Sequence, residues 1–210
     1  MDGEQDSLPA AGRGLVQSSI LGAPRQRRIL SILRDRGRPT TVDELRARLA
    51  SDGSDASPDA TEADRRGLRT DLAHRCLPKL VAAGWIERRP EGYVVVDPLP
   101  LESERLSLPD LREPEHPSWD AASVLLARPH RQDVLSVVAG RSDGLTVSEL
   151  ATELRDRVDD RDRTLRTGLH HVDLPVLADV GLVAYDPDER TVDPTPRLST
   201  CLDRLDLDTD

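Results

Sequence analysis

Phenylalanine is absent from the 210-residue chain, and two Trp and two Tyr are its only large aromatic side chains. The core must therefore be built from small aliphatic side chains, chiefly Leu, Val and Ala. Lysine is almost absent: Lys79 is the single one, so the 29 basic residues are otherwise arginine, against 39 Asp and Glu and a formal charge of −10. Cysteine occurs only at Cys76 and Cys201. Neither has a second Cys or a near His at metal spacing, which argues against a disulfide framework or a zinc site. No apolar run is long enough to span a bilayer, and the acidic start MDGEQDSLPAAGRG lacks the apolar centre of a signal peptide. A soluble cytoplasmic protein without a membrane partner is expected. Gly-rich phosphate loops, Ser or Cys nucleophile motifs and paired metal-ligand clusters are also missing, so neither enzymatic activity nor a cofactor is expected.

What the chain has is acid, arginine and repetition. Abundant Asp with one Lys fits a halophilic, high-salt cytoplasm, where excess surface carboxylate keeps proteins soluble; a GC-rich genome biases composition the same way. The stretch LRTDLAHRCLPKLVAAGWI, Leu68 to Ile86, returns as LRTGLHHVDLPVLADVGLV, Leu165 to Val183. Upstream, Pro24, Leu30, Ser31, Thr41, Val42, Glu44, Leu45 and Leu49 recur as Pro129, Leu135, Ser136, Thr146, Val147, Glu149, Leu150 and Leu154. Repetition on this scale marks two copies of one domain, each of about 75 to 80 residues.

The chain divides into a disordered tail over 1–14, a first domain over 15–97, a Pro-rich acidic linker over 98–117, a second domain over 118–195, and a short helix and tail over 196–210. In each copy a lead-in helix stops before the proline. The stripes Ile29, Leu30, Ile32, Leu33 and Val134, Leu135, Val137, Val138 then predict helices over 25–36 and 130–139. Thr41-x-x-Glu44 and Thr146-x-x-Glu149 are capping boxes opening the next helix. A third helix follows, with Leu68, Leu72, Cys76 and Leu80 inward and Arg65, Arg66, Arg69, Thr70, Ala73 and Lys79 outward. Pro78 removes one of its hydrogen bonds and predicts a kink. Gly84 ends it, and Trp85-Ile86-Glu87 and Tyr93 to Val96 flank a turn at Arg89-Pro90-Glu91-Gly92. The fold class expected is mainly α with small β-hairpin wings: tandem winged helix-turn-helix domains.

The apolar stripe after Pro-x-Arg, the Thr-x-x-Glu start, and L-x-H-x-x-L-P-x-L-x-x-x-G before two apolar residues resemble a haloarchaeal winged-helix domain family of unknown biochemical function. More distantly, Leu72-x-His74 to Leu80 with Ala83-Gly84-Trp85-Ile86 is similar to the recognition-helix region of ArsR-like regulators. The metal-binding cysteines of some ArsR-like sensors have no paired equivalent here.

Several residues invite chemistry and are better explained by structure. His74 and His171 recur at one position beside a proline-freed carbonyl and read as structural hydrogen-bond donors; His170 and Asp173 stand next to the second. Cys76 lies on the apolar stripe, where a thiol packs like Ala or Val. Trp85 and Tyr93 are expected to cover the core.

The arginines carry the functional reading. Pro24 to Val96 holds 15 basic and 11 acidic residues, net +4 in a chain of −10, whereas Ser118 to Thr195 holds 9 basic and 15 acidic, net −6, with Asp186, Asp188 and Glu189 at its wing. Arg65, Arg66, Arg69 and Thr70 on the third helix and Arg88 and Arg89 at the wing are where a winged helix reaches base edges and phosphates. These residues are the candidate contacts to double-stranded DNA. The expectation is a DNA-binding transcriptional regulator in which the first domain reads DNA and the second forms a homodimer or engages a protein partner. The alternative is a protein–protein scaffold module of the same fold without DNA binding.

Overall fold

The computed structural model describes residues 10–51, 62–99, 101, 106, 108–155 and 162–205. The chain forms two compact units: Met1–Glu102 with Asp110–His116, and Ser103–Pro109 with Pro117–Asp210. Among the described residues it is mainly helical with two small antiparallel sheets, and no helix is long and apolar enough to cross a membrane.

In the first unit, α1 (Ala10–Leu21) begins inside the segment expected to be a tail and ends before Pro24, which sits in the first turn of α2 (Pro24–Arg36). The missing amide of a proline costs nothing there, because first-turn amides have no partner within the helix. Ile29, Leu30, Ile32 and Leu33 are buried as their spacing predicts, and Gly37 closes α2 at φ 57° with its amide on the Leu33 carbonyl. The capping box then opens α3 (Val42–Ser51): Thr41 Oγ1 accepts from the Glu44 amide at 3.2 Å, and Glu44 Oε2 accepts from the Thr41 amide at 2.9 Å. That backbone bond and the nearby Arg38 charge outweigh desolvation and hold the Glu44 carboxyl below the usual range.

The third helix is continuous but changes pitch. After α4 (Glu62–Asp71) comes a π-helical turn over Leu72–Cys76, then α5 (Leu77–Ala82). Pro78 has no amide to give to the His74 carbonyl, and the preceding Leu77 amide reaches five residues back, to the Leu72 carbonyl. The defect expected as a kink is therefore taken up by one wide turn. Gly84, at φ 72°, ends α5, with the Trp85 amide on the Leu80 carbonyl at 3.0 Å.

The chain turns back through β1 (Ile86–Arg89) and β2 (Gly92–Val95), paired antiparallel with Arg89 opposite Gly92. Thr40 adds a third, one-residue rung by exchanging both backbone bonds with Tyr93 at 2.9 Å. Gly92 makes this possible: at φ 140°, a Cβ there would stand 2.5 Å from the Thr40 carbonyl carbon and oxygen. Gly92→Ala should therefore cost about 1–3 kcal/mol. An unchanged thermal melt would show that the hairpin does not need this rung. Trp85 is fully buried and Tyr93 half-buried, consistent with their covering the core.

Part of the Pro-rich stretch belongs to this unit's surface. Leu111 is buried, and the Pro114 carbonyl accepts from Arg27 Nε at 2.7 Å.

The second unit repeats the order. α6 (Ser118–Ala127) leads into α7 (His130–Ala139), β3 (Leu145–Thr146) and α8 (Val147–Leu154), whose Thr146–Glu149 capping box is complete. Then come α9 (Asp162–Gly168), a second π turn over Leu169–Asp173 and α10 (Leu174–Asp179). The hairpin β4 (Val183–Asp186) and β5 (Thr191–Pro194) pairs with β3 in the order β3-β5-β4, so the one-residue rung of the first unit is a true third strand here. α11 (Pro196–Leu205) contacts α6 and α7, with Leu198, Cys201, Leu202 and Leu205 buried.

Candidate nucleic-acid interface

The outward face of α4 presents Arg66, Arg69 and Thr70, all exposed; the Arg65 side chain lies outside the described residues. Thr70 Oγ1 donates to the Arg66 carbonyl at 3.0 Å, the back-bond common for a helical threonine, which leaves its lone pairs outward. Arg69 Nε stands 3.2 Å from Asp43 Oδ1 in the first turn of α3. At the hairpin, Arg88 is exposed and Arg89 Nη2 lies 3.1 Å from Glu87 Oε2. A shallow recess between the start of α3 and the hairpin is lined by Thr41, Val42, Arg88, Arg89 and Tyr93, among others. The hairpin arginines thus share a recess, and Arg66 and Arg69 of α4 lie outside its described lining.

The second unit arranges the same elements differently. Its recess joins the start of α8 to the third helix and the hairpin, with Arg166, Thr167, His170 and His171 facing Glu189 and Arg190. His170 occupies the position of Ala73, and its Nδ1 meets the Tyr185 hydroxyl. Desolvation, then the His171 and Arg190 charges, lower the His170 pKa. The second hairpin carries the acidic residues Asp186, Asp188 and Glu189: Asp186 Oδ1 accepts from the turn amides of Asp188 and Glu189, at 2.8 and 3.0 Å, and Arg190 brings a cation to the same rim.

His74 and His171 are exposed, and neither ring makes a hydrogen bond among the described residues, so the role of structural donor does not hold for them. Cys76 is buried as expected, but not merely as an apolar filler: its Sγ lies 3.4 Å from Asp71 Oδ2. Desolvation and that carboxylate push the thiol up to about 11, so it is protonated and a poor nucleophile at neutral pH.

A matching family model covers residues 18–96 and 124–193, described as a domain of unknown function, DUF7344. The chain belongs to the DUF7344 family. The two matched segments correspond to the two repeats and to the cores of the two units. No curated protein and no solved structure matches it.

In this DUF7344 protein the polar cluster that sequence reasoning missed lies beneath the third helix of the second unit. Asp173, 2 % exposed, accepts from Arg131 Nε at 2.8 Å and meets His130 Nε2 at 3.0 Å, with Arg128 Nη1 at 3.6 Å. Burial raises its pKa, but the bonds from His130 and Arg131 and their charges prevail and hold the carboxyl below the usual range. The first unit reaches the same end by another route: Arg25, at the place of His130, bonds Asp71 at 2.9 Å, and Cys76 stands where Asp173 does. Asp71 corresponds to Gly168, so the carboxylate has moved from one end of the π turn to the other. The available signal was the paired exchange of Asp71 with Gly168 and Cys76 with Asp173, two of the differences between the aligned repeats that remove a carboxylate at one position and supply one at the other.

Proposed function

We propose that both units are winged helix-turn-helix domains and that the protein is a cytoplasmic transcriptional regulator whose first unit binds double-stranded DNA, the second serving assembly or a protein partner. The observation that carries this reading is the exposure of Arg66, Arg69, Arg88 and Arg89 on α4 and the β1–β2 hairpin, in a segment of net +4 within a chain of −10. α4 would enter the major groove, with Arg66, Arg69 and Thr70 toward base edges, and Arg88 and Arg89 would position the hairpin on phosphates. The partners Asp43 and Glu87 do not oppose this strongly. Both pairs are exposed, and surface ion pairs contribute about 0–1 kcal/mol, so a phosphate can displace the carboxylate.

The same two ion pairs favour the second reading, a protein-interaction module, because they reduce the free positive charge of the surface. DNA selection from a random pool by the full chain, across a KCl series, separates the two. Arg69→Ala should then cost roughly 1–3 kcal/mol at a selected site and relax preference at one base position. Arg89→Ala should weaken all sequences alike and reduce the salt slope by about 1. Failure to enrich any sequence at any salt would favour the interaction module.

A further inference from the structure

We propose that the first unit carries a binding site for a phosphate group in a small recess separate from the α4 and hairpin surface, formed by α2, the last turn of α3 and the segment 110–116. The recess, of about 180 Å³, is lined by Arg28, Ser31, Ile32, Asp35 and Arg36 from α2, Arg48 from α3, and Arg112. Among the described residues, four arginines line it with one carboxylate, in a chain whose acids outnumber its bases.

The nearby carboxylates Asp35, Asp110 and Glu44 leave a donor of Arg36 over. Asp35 Oδ1 is 3.2 Å from Arg112 Nε, and Asp110 Oδ2 is 3.8 Å from Arg112 Nη1. Glu44 Oε1 takes Arg36 Nη2 at 2.7 Å, but Arg36 Nε is buried without a hydrogen-bond partner among the described residues. A buried donor of a charged group left unsatisfied costs free energy, and an acceptor arriving in the recess relieves that cost. The flat, forked guanidinium is suited to a phosphate, whose several oxygens can bridge groups from different elements. Arg48 and Arg112 close two sides of the recess from outside α2, so one anion would tie α3 and the segment 110–116 to α2. A lone carboxylate offers only two oxygens, too few to engage all four arginines, which is why the chemistry points to phosphate. The site stands whether or not the protein binds DNA.

The test is calorimetric titration of the full chain with inorganic phosphate and with pyrophosphate, against potassium acetate at matched ionic strength. Saturable binding of pyrophosphate is expected, weakened about tenfold by Arg48→Gln and by Arg112→Gln, the loss of one charge-assisted bond each. Arg38→Gln, exposed and outside the recess, should leave it unchanged. A duplex oligonucleotide in competition assigns the source. Displacement of pyrophosphate that depends on Arg48 identifies a backbone phosphate, and absence of displacement identifies a free phosphate compound. Binding no stronger than that of acetate, or Arg48→Gln and Arg112→Gln variants that titrate like the parent, overturns the proposal. Failure of the parent chain to bind any duplex would count against the regulator reading alone.

Discussion

Replacing Leu72 or Leu169 by alanine should destabilise its own unit by about 2–5 kcal/mol, the range for a buried leucine whose cavity cannot fully collapse. Both side chains are fully buried, and both residues open the π turn, where their carbonyls accept from Leu77 and Leu174. That helix segment cannot move inward to fill the void without disturbing the wide turn that accommodates Pro78 or Pro175. A small domain has only about 5–15 kcal/mol to lose, so either variant approaches the limit of folding. Leu68→Ala should cost less than Leu165→Ala, because Leu68 is only half-buried and Leu165 is 4 % exposed. Chemical denaturation of the full chain, followed by signals from each unit, checks the set. A Leu72→Ala chain that melts like the parent would mean that the inward face of the helix has been misassigned.

Asp173→Ala should cost about 3–5 kcal/mol, as expected when one member of a buried ion pair is removed and the other remains. Arg131 is 4 % exposed and would keep its charge, with the Val124 carbonyl at 3.0 Å as its remaining hydrogen-bond acceptor among the described residues. The same carboxylate sets an acid limit. Its pKa is lowered in the folded unit, so the unfolded chain binds the extra proton first as pH falls. The stabilisation is complete above the unfolded carboxyl value, about 4, and is lost as pH drops from there through the folded value. Asp173→Ala should accordingly flatten the dependence of stability on pH below about 4. The first unit suggests a repair. Gly168→Asp in an Asp173→Cys background places the carboxylate and thiol as Asp71 and Cys76 hold them, and should recover part of the loss. A Cβ at Gly168 comes no nearer than 3.9 Å to Asp173 Oδ2, so the backbone admits it. No recovery in the double variant would show that His130 cannot hold a carboxylate at the start of the π turn as Arg25 holds Asp71.

The amino-acid sequence by itself determined the duplication, the order of elements in each unit and most element ends, because each rests on local chemistry. Thr41 and Thr146 cap the helices they precede, Gly84 and Gly181 take the left-handed φ that stops a helix, and the stripe Ile29, Leu30, Ile32, Leu33 is buried. A hydroxyl three residues before a glutamate, or a residue without a Cβ, has the same effect in any tertiary setting. Membership of the family follows from that repeated pattern. What only the tertiary structure decided are matters of reach. Pro78 and Pro175 fix where a hydrogen bond is missing, but whether the helix bends, stops or widens depends on packing at Leu72 and Leu169, and a π turn results. Asp173 stands beside His170 and His171 in the chain, yet its partners are Arg131 and His130, more than 40 residues earlier, because the inward side of α9–α10 faces the start of α7. The arginines divide in the same manner. Arg66 and Arg88 are exposed without an ion pair among the described residues, whereas Arg69 and Arg89 meet Asp43 and Glu87, a distinction set by side-chain geometry across elements rather than by composition.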